Sequence, residues 1–265
     1  MIKAVIFDWA GTTVDFGCMA PTLVFIDVFS QWGINLSIDE ARGPMGLAKM
    51  DHVRKLMEID RVRNEWQGLY NRYPGENDVV VLYNQLEPAL VKIAGDFANV
   101  IPGVPQVMVE LRKQEILIGS TTGYVRSMME QVVPVAGRQG FKPDSIVCSD
   151  EVPEGRPAPW GCFLNAQRMN IWPMSEMVKI GDTVADNQEG LNAGMWTIGC
   201  TLSGNEVGLP EQEVDELDPD IRRRMIWSAE EKLLKAGAHF VIDGVWACLP
   251  VLDEISSRIV SGEKP

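Results

Sequence analysis

Asp8 stands at the end of an apolar run, Ala4 to Phe7, and is followed by the small and hydroxyl residues Gly11, Thr12 and Thr13. A buried parallel strand that delivers a carboxylate to the carboxyl edge of a sheet has this form, and open α/β sheets bind ligands at that edge. The backbone N–H groups and hydroxyls of the following turn suit an anion. Ser120-Thr121-Thr122 closes a second apolar run. Gly181-Asp182-Thr183 closes a third, with Asp186 one helical turn further on. Parallel strands bring all these tips to one edge. Two carboxylates from different strands and a backbone carbonyl suit a hard cation that keeps several waters, which points to Mg²⁺. Each signal has a plainer reading when taken singly. Asp8 serves as a turn former, and Thr183 with Asp186 as a helix cap and first-turn acid.

Basic residues are the second requirement for anion chemistry. Arg156 lies in a proline-flanked loop, Gly155-Arg156-Pro157-Ala158-Pro159, before a helical stretch. Lys49 and His52 are three residues apart at the start of another helix and therefore share a face. A lysine ordinarily ends in solvent, so the plain reading of Lys49 is a surface charge. Tyr124, just past the hydroxyl run, is either turned toward a ligand or a buried tyrosine with its hydroxyl satisfied.

The stretch Asp8-Trp9-Ala10-Gly11-Thr12-Thr13-Val14-Asp15 resembles the nucleophile loop of the haloacid dehalogenase superfamily, Asp-x-Asp-Gly-Thr-x-x-Asp. Ala10 departs from it, standing where phosphatases carry a second Asp. Met45-Gly46-Leu47-Ala48-Lys49-Met50-Asp51-His52-Val53-Arg54 is similar to the segment around the imine-forming lysine of the phosphonoacetaldehyde hydrolase (phosphonatase) family. Gly119-Ser120-Thr121-Thr122-Gly123-Tyr124, Gly155-Arg156-Pro157 and Val207-Gly208-Leu209-Pro210-Glu211-Gln212-Glu213-Val214 extend the resemblance over nearly the whole chain.

The resemblance implies hydrolysis of the C–P bond of phosphonoacetaldehyde to acetaldehyde and phosphate. Asp8 is then the nucleophile, Lys49 the imine former and His52 a proton shuttle with a pKa near neutrality. Asp8, Asp182 and the Ala10 carbonyl hold Mg²⁺, with Thr183 and Asp186 behind them. Thr122, Arg156 and Tyr124 contact the substrate. Cys18 and Met45 either line its pocket or simply pack. The missing acid at position 10 fits that chemistry. An alkoxide leaving group is rescued by a general acid, whereas a departing carbanion needs an electron sink, which an iminium on a lysine provides. Lys49 must then be lowered from the usual lysine value of about 10.4 by burial. Two other readings compete: a superfamily phosphatase or phosphomutase acting on a small phosphate ester, and a catalytically silent binding module.

The elements that must position these residues follow from periodicity. Residues 18–97 show helical patterns and no convincing strand, with helices expected at about 20–32, 47–59, 61–72 and 79–97. Strands and helices then alternate, with strands expected at 115–121, 145–149, 177–180, 196–201 and 239–242 and one helix-prone stretch over 210–236. This alternation predicts an α/β fold, a doubly wound parallel-sheet, Rossmann-like core. The expected division is a core of residues 1–16 and 98–265 with an all-helical cap of residues 17–97 able to shut out water. Phe25, Phe29 and Trp32 form either the cap's own core or a dimer face, and the resemblance favours a homodimer.

The totals exclude several classes. A net charge of −13 and pI near 4.7 disfavour nucleic acid and anionic membrane surfaces. No apolar stretch approaches the roughly 20 residues needed to span a bilayer. Five cysteines without C-x-x-C spacing argue against a disulfide framework or zinc cluster, and a cytoplasmic setting is expected. With 265 residues, 46% of them hydrophobic and a mean hydropathy of −0.03, the chain is long enough for a sizeable core.

Overall fold

The computed structural model describes residues 1–265. Six short strands form one parallel sheet: β1 (Ala4–Phe7), β2 (Leu117–Thr121), β3 (Ser145–Val147), β4 (Met177–Gly181), β5 (Trp196–Cys200) and β6 (Phe240–Ile242). Their order is β3-β2-β1-β4-β5-β6. β1 is central, with Phe7 level with Ser120 on one side and Ile180 on the other. Its four residues are all buried, which explains an apolar run without alternation. The order reverses direction at β1, so the ligand edge lies at the tips of β1, β2 and β4.

Five helices lie between β1 and β2: α1 (Met19–Gln31), α2 (Ile38–Arg42), α3 (Lys49–Glu58), α4 (Asp60–Tyr70) and α5 (Glu76–Ala94). α1 and α3 both pack on α5. Phe25 and Phe29 are fully buried in that packing, each contributing on the order of 1.5–3 kcal/mol. They are therefore the interior of the helical segment and form no outer face. Trp32 is half-buried, stacked on Trp66 with its indole N–H on Gln85 Oε1.

The remaining helices flank the sheet: α6 (Val104–Lys113), α7 (Arg126–Arg138), α8 (Trp160–Met169), α9 (Val184–Asn192), α10 (Glu211–Glu216), α11 (Pro219–Lys235) and α12 (Cys248–Val260). α5 also packs on α7, and one apolar cluster runs from Leu82 and Trp66 through to Phe7 and Phe141.

Several boundaries differ from the pattern in the sequence, two of them with a clear local cause. The 210–236 stretch is two helices, because Pro219 disfavours helical geometry in the residue before it and Asp218 caps α11 through the N–H groups of Asp220 and Ile221. α3 begins at Lys49 and not at residue 47, since Gly46 has φ +89 and Ala48 is extended. Tyr124 lies in the loop before α7, which begins at Arg126.

Candidate active site

The tips of β1, β2 and β4 and the start of α3 surround a narrow cavity. Asp8, Ala10, Cys18, Met45, Lys49 and Thr122 line it. Tyr124, Arg156 and Thr183 complete the wall with Pro21, Gly46 and Gly123. Nine of the twelve expected residues therefore line the cavity; His52, Asp182 and Asp186 do not.

Asp8 is buried, its N–H on the Ile180 carbonyl at 2.9 Å and its Oδ1 2.7 Å from Arg156 Nη2. Burial pushes its carboxyl up, with Arg156 pulling down and Asp186 pushing up. Asp182 accepts from Thr12 Oγ1 at 3.0 Å and from the Asn205 N–H at 2.8 Å. Burial and then Asp8 raise it well above the usual carboxylate range. Gly11 permits this approach, because a Cβ there would overlap the Asp182 carboxylate.

Asp186 does two things at once. With Thr183 it forms a capping box on α9, Thr183 Oγ1 donating to Oδ2 at 2.5 Å. Its Oδ1 meets Arg156 Nη1 at 2.7 Å and Lys179 Nζ at 2.9 Å. Burial raises its pKa, but the two cations outweigh that and leave it lowered. Its oxygens are committed, although those of Asp8, Asp182 and Asp186 lie within 4.8 Å of one another.

A divalent cation fits the two carboxylates that remain. Burial raises both carboxyls, and Asp8 raises Asp182 further, so a positive ion between them would relieve both. Ala10 lines the cavity, and its carbonyl accepts no hydrogen bond from the protein. Two carboxylates, one carbonyl and room for water make an all-oxygen set of the kind hard cations take.

The hydroxyl run resolves by elimination. Thr121 Oγ1 donates to Glu189 Oε2 and accepts from Arg156 Nη2 and Lys179 Nζ, each at 2.8 Å. Ser120 Oγ turns to the Ser145 carbonyl. Thr122 alone of the three lines the cavity, accepting the Tyr124 N–H at 3.1 Å.

Lys49 is 4% exposed and has no carboxylate within ion-pair distance. Its Nζ lies 4.0 Å from Met45 Sδ, 5.2 Å from the Tyr124 ring centroid and 5.8 Å from that of Phe25. Burial lowers its pKa, against the pull of Cys18 and Asp8. The amine is held at a cavity wall opposite a buried acid by thioether and aromatic surfaces, which cannot take its proton but offset part of its desolvation. Cys18 itself stays a thiol, its pKa raised by burial and then by Asp182.

His52 corrects an expectation. It is fully buried beneath Lys49, stacked on Phe25 at 3.8 Å, with Nε2 on the Ala41 carbonyl at 2.9 Å. A carbonyl only accepts, so Nε2 carries the proton and Nδ1, which has no partner, is a bare lone pair. Burial and then Lys49 hold its pKa well below the ordinary histidine value, not near neutrality.

Sequence reasoning passed over Lys179, Glu189 and Asn205, and offered the Thr12 hydroxyl to an anion where it instead donates to Asp182. Lys179 Nζ meets Asp186 at 2.9 Å and Glu189 at 3.2 Å, and Glu189 Oε2 also holds Arg156 Nε at 3.0 Å. A lysine interrupting the buried run Met177-Val178-Lys179-Ile180 was the signal available.

The haloacid dehalogenase-like hydrolase family model matches residues 2–194. The phosphonoacetaldehyde hydrolase of Syntrophobacter fumaroxidans is 47% identical over 264 residues, covering 100% of this chain and 95% of the relative. That of Bacillus cereus is 47% identical over 257 residues, 97% of each chain. The crystal structure of a phosphonoacetaldehyde hydrolase-like protein from Oleispira antarctica superposes with a TM-score of 0.98 at 38% identity, covering 100% of this chain and 96% of that one. The chain therefore belongs to the phosphonoacetaldehyde hydrolase family of haloacid dehalogenase-like hydrolases.

Proposed function

We propose that this enzyme hydrolyses the C–P bond of phosphonoacetaldehyde through an imine on Lys49 and a phosphoryl group transferred to Asp8. One observation carries the reading: a buried amine without an ionic partner shares one cavity with a buried carboxylate at the tip of β1. The Lys49 amine adds to the aldehyde carbon, and loss of water leaves an iminium. A carboxylate oxygen of Asp8 attacks phosphorus. The C–P electron pair moves onto the carbon skeleton as an enamine, with the iminium nitrogen accepting charge. Water then cleaves the aspartyl phosphate to phosphate. Protonation of the enamine carbon restores the iminium, whose hydrolysis releases acetaldehyde and the free amine. The net reaction consumes one water.

Asp8, Asp182 and the Ala10 carbonyl would hold Mg²⁺, which would supply positive charge beside the phosphonate oxygens. Thr122 donates to those oxygens, and Arg156 fixes the Asp8 carboxylate through Oδ1. Tyr124, Cys18 and Met45 exclude water around the imine. Thr183 and Asp186 orient Arg156. His52, neutral at rest with Nδ1 unpaired, relays the proton that Lys49 loses only through a short-lived imidazolium, because burial and Lys49 disfavour its charged form.

Residues 17–97 act as the cap and residues 1–16 and 98–265 as the core. Gly46 sits so close to Thr183 that a Cβ would overlap its hydroxyl, which favours a shut arrangement in which Lys49 faces Asp8. A homodimer through the cap is supported by the exposed Leu69 and Tyr70 beside Trp32 and Leu23 on α1. Five unpaired cysteines fit a cytoplasmic setting, and no helix is long and apolar enough to cross a membrane.

The test is product release. Phosphonoacetaldehyde with Mg²⁺ should yield phosphate and acetaldehyde in equal amounts, and chelation should stop both. Release of phosphate from a simple phosphate ester at a comparable kcat/KM would contradict the reading.

A further inference from the structure

Arg42, the last residue of α2, is buried, yet none of its partners is a carboxylate. Its guanidinium instead gathers main-chain oxygens from the turn before α1 and from residues 205–208. Nη2 donates to the Gly208 carbonyl at 2.7 Å. Nη1 donates to the Gly17 carbonyl at 2.8 Å and to the Asn205 carbonyl at 3.2 Å. Asn205 Nδ2 donates back to the Arg42 carbonyl at 3.3 Å. A guanidinium taken out of water without an anion is tolerated only when several acceptors are assembled together. Nε has no partner, so the buried guanidinium depends on these acceptors alone.

The same turn reaches the metal-binding carboxylates. The Asn205 N–H that donates to Asp182 Oδ2 at 2.8 Å belongs to the residue whose carbonyl and side-chain oxygens lie on Arg42. Gly208, at φ +66, leaves room for the guanidinium, since a Cβ there would fall on Nη1.

We propose that Arg42 is a positioning residue that ties docking of the helical segment to the orientation of Asp182. Seating its guanidinium on residues 205–208 sets the Asn205 N–H against the carboxylate. Withdrawal of α2 releases that turn and loosens Asp182. The inference rests on reading Asp182 as a metal ligand, so the experiment reads metal binding without turnover.

Mn²⁺ binding to the full chain is followed by electron paramagnetic resonance in the absence of substrate, beside the rate at which a thiol reagent modifies Cys18. Arg42→Met should weaken Mn²⁺ about tenfold or more, the scale seen when a group orienting a ligand is removed, and should speed modification of Cys18. Gly208→Ala, which keeps the arginine but blocks its seat, should move both readouts the same way. Arg42→Lys should restore part of the affinity. Wild-type Mn²⁺ affinity in folded Arg42→Met and Gly208→Ala overturns the proposal, even where thermal stability has fallen. Faster modification of Cys18 with unaltered Mn²⁺ affinity also overturns it, because the segment would then open without disturbing Asp182. If Arg42→Met fails to fold, Gly208→Ala decides. Failure of the wild type to release acetaldehyde would count against C–P cleavage and leave the Mn²⁺ result standing.

Discussion

At the scale of single residues the chemistry turns on a lysine whose pKa is lowered by its surroundings. The amine of Lys49 faces thioether and aromatic surfaces, and burial lowers its pKa. The fraction of neutral amine grows as pH rises through that lowered value. The rate of imine trapping should therefore reach half its maximum on the acid side of about 10.4, the ordinary lysine value. A midpoint at or above it contradicts the burial argument. Lys49→Arg keeps charge and bulk but cannot form an imine. It should lower kcat by about 10⁴-fold or more, the scale of losing a covalent catalyst, while Mn²⁺ affinity stays at the wild-type value. Asp8 and Asp182 were legible in the sequence because a carboxylate after an apolar run marks a strand tip whatever the fold around it. Arg42, Glu189 and Asn205 were not, since each acts through a partner more than thirty positions away or through its own backbone.

At the scale of elements, β4 and α9 share a buried ion network. Lys179, fully buried, is the cation that Asp186 and Glu189 both need, and Arg156 depends on the same two acids. Lys179→Met should cost about 3–5 kcal/mol in denaturant unfolding, because it strands buried carboxylates. A loss under about 1 kcal/mol, the exposed-pair range, would show the network to be solvated. The sequence offered a choice for Thr183 and Asp186 between a helix cap and a functional acid; the structure shows the cap, with Asp186 also paired to Arg156 and Lys179. α1 carries a different load. Asp15 accepts the N–H groups of Met19 and Ala20 at 3.1 and 3.0 Å, and burial pushes its pKa up to about 7 despite them. A carboxyl with a higher pKa folded than unfolded contributes stability below about 4 that is lost as pH rises through about 7. In EDTA, the Tm of Asp15→Asn relative to wild type should therefore increase between pH 5 and pH 8. A difference that stays flat over that range contradicts the raised value. The helix boundaries misread in the sequence have local causes: Pro219 and Gly46 are punctuation whose effect depends on a cap or a neighbour in space.

For the whole molecule, the sheet topology was readable because strand-helix alternation leaves few arrangements open. The fit between the helical segment and the core was not, because it depends on glycines pressed against distant atoms and on one arginine gripping a remote turn. Sedimentation should show a dimer that Leu69→Lys with Tyr70→Lys dissociates; a wild-type monomer at micromolar concentration would remove the dimer from the account. The central claim concerns two groups on opposite walls of one cavity, a lysine from the helical segment and an acid from the core. Borohydride reduction of the enzyme in the presence of phosphonoacetaldehyde and Mg²⁺, followed by peptide mapping, tests it most directly. The account predicts a reduced two-carbon adduct on Lys49 and loss of activity in proportion to its formation. Full activity after reduction, or an adduct confined to other lysines, would contradict it.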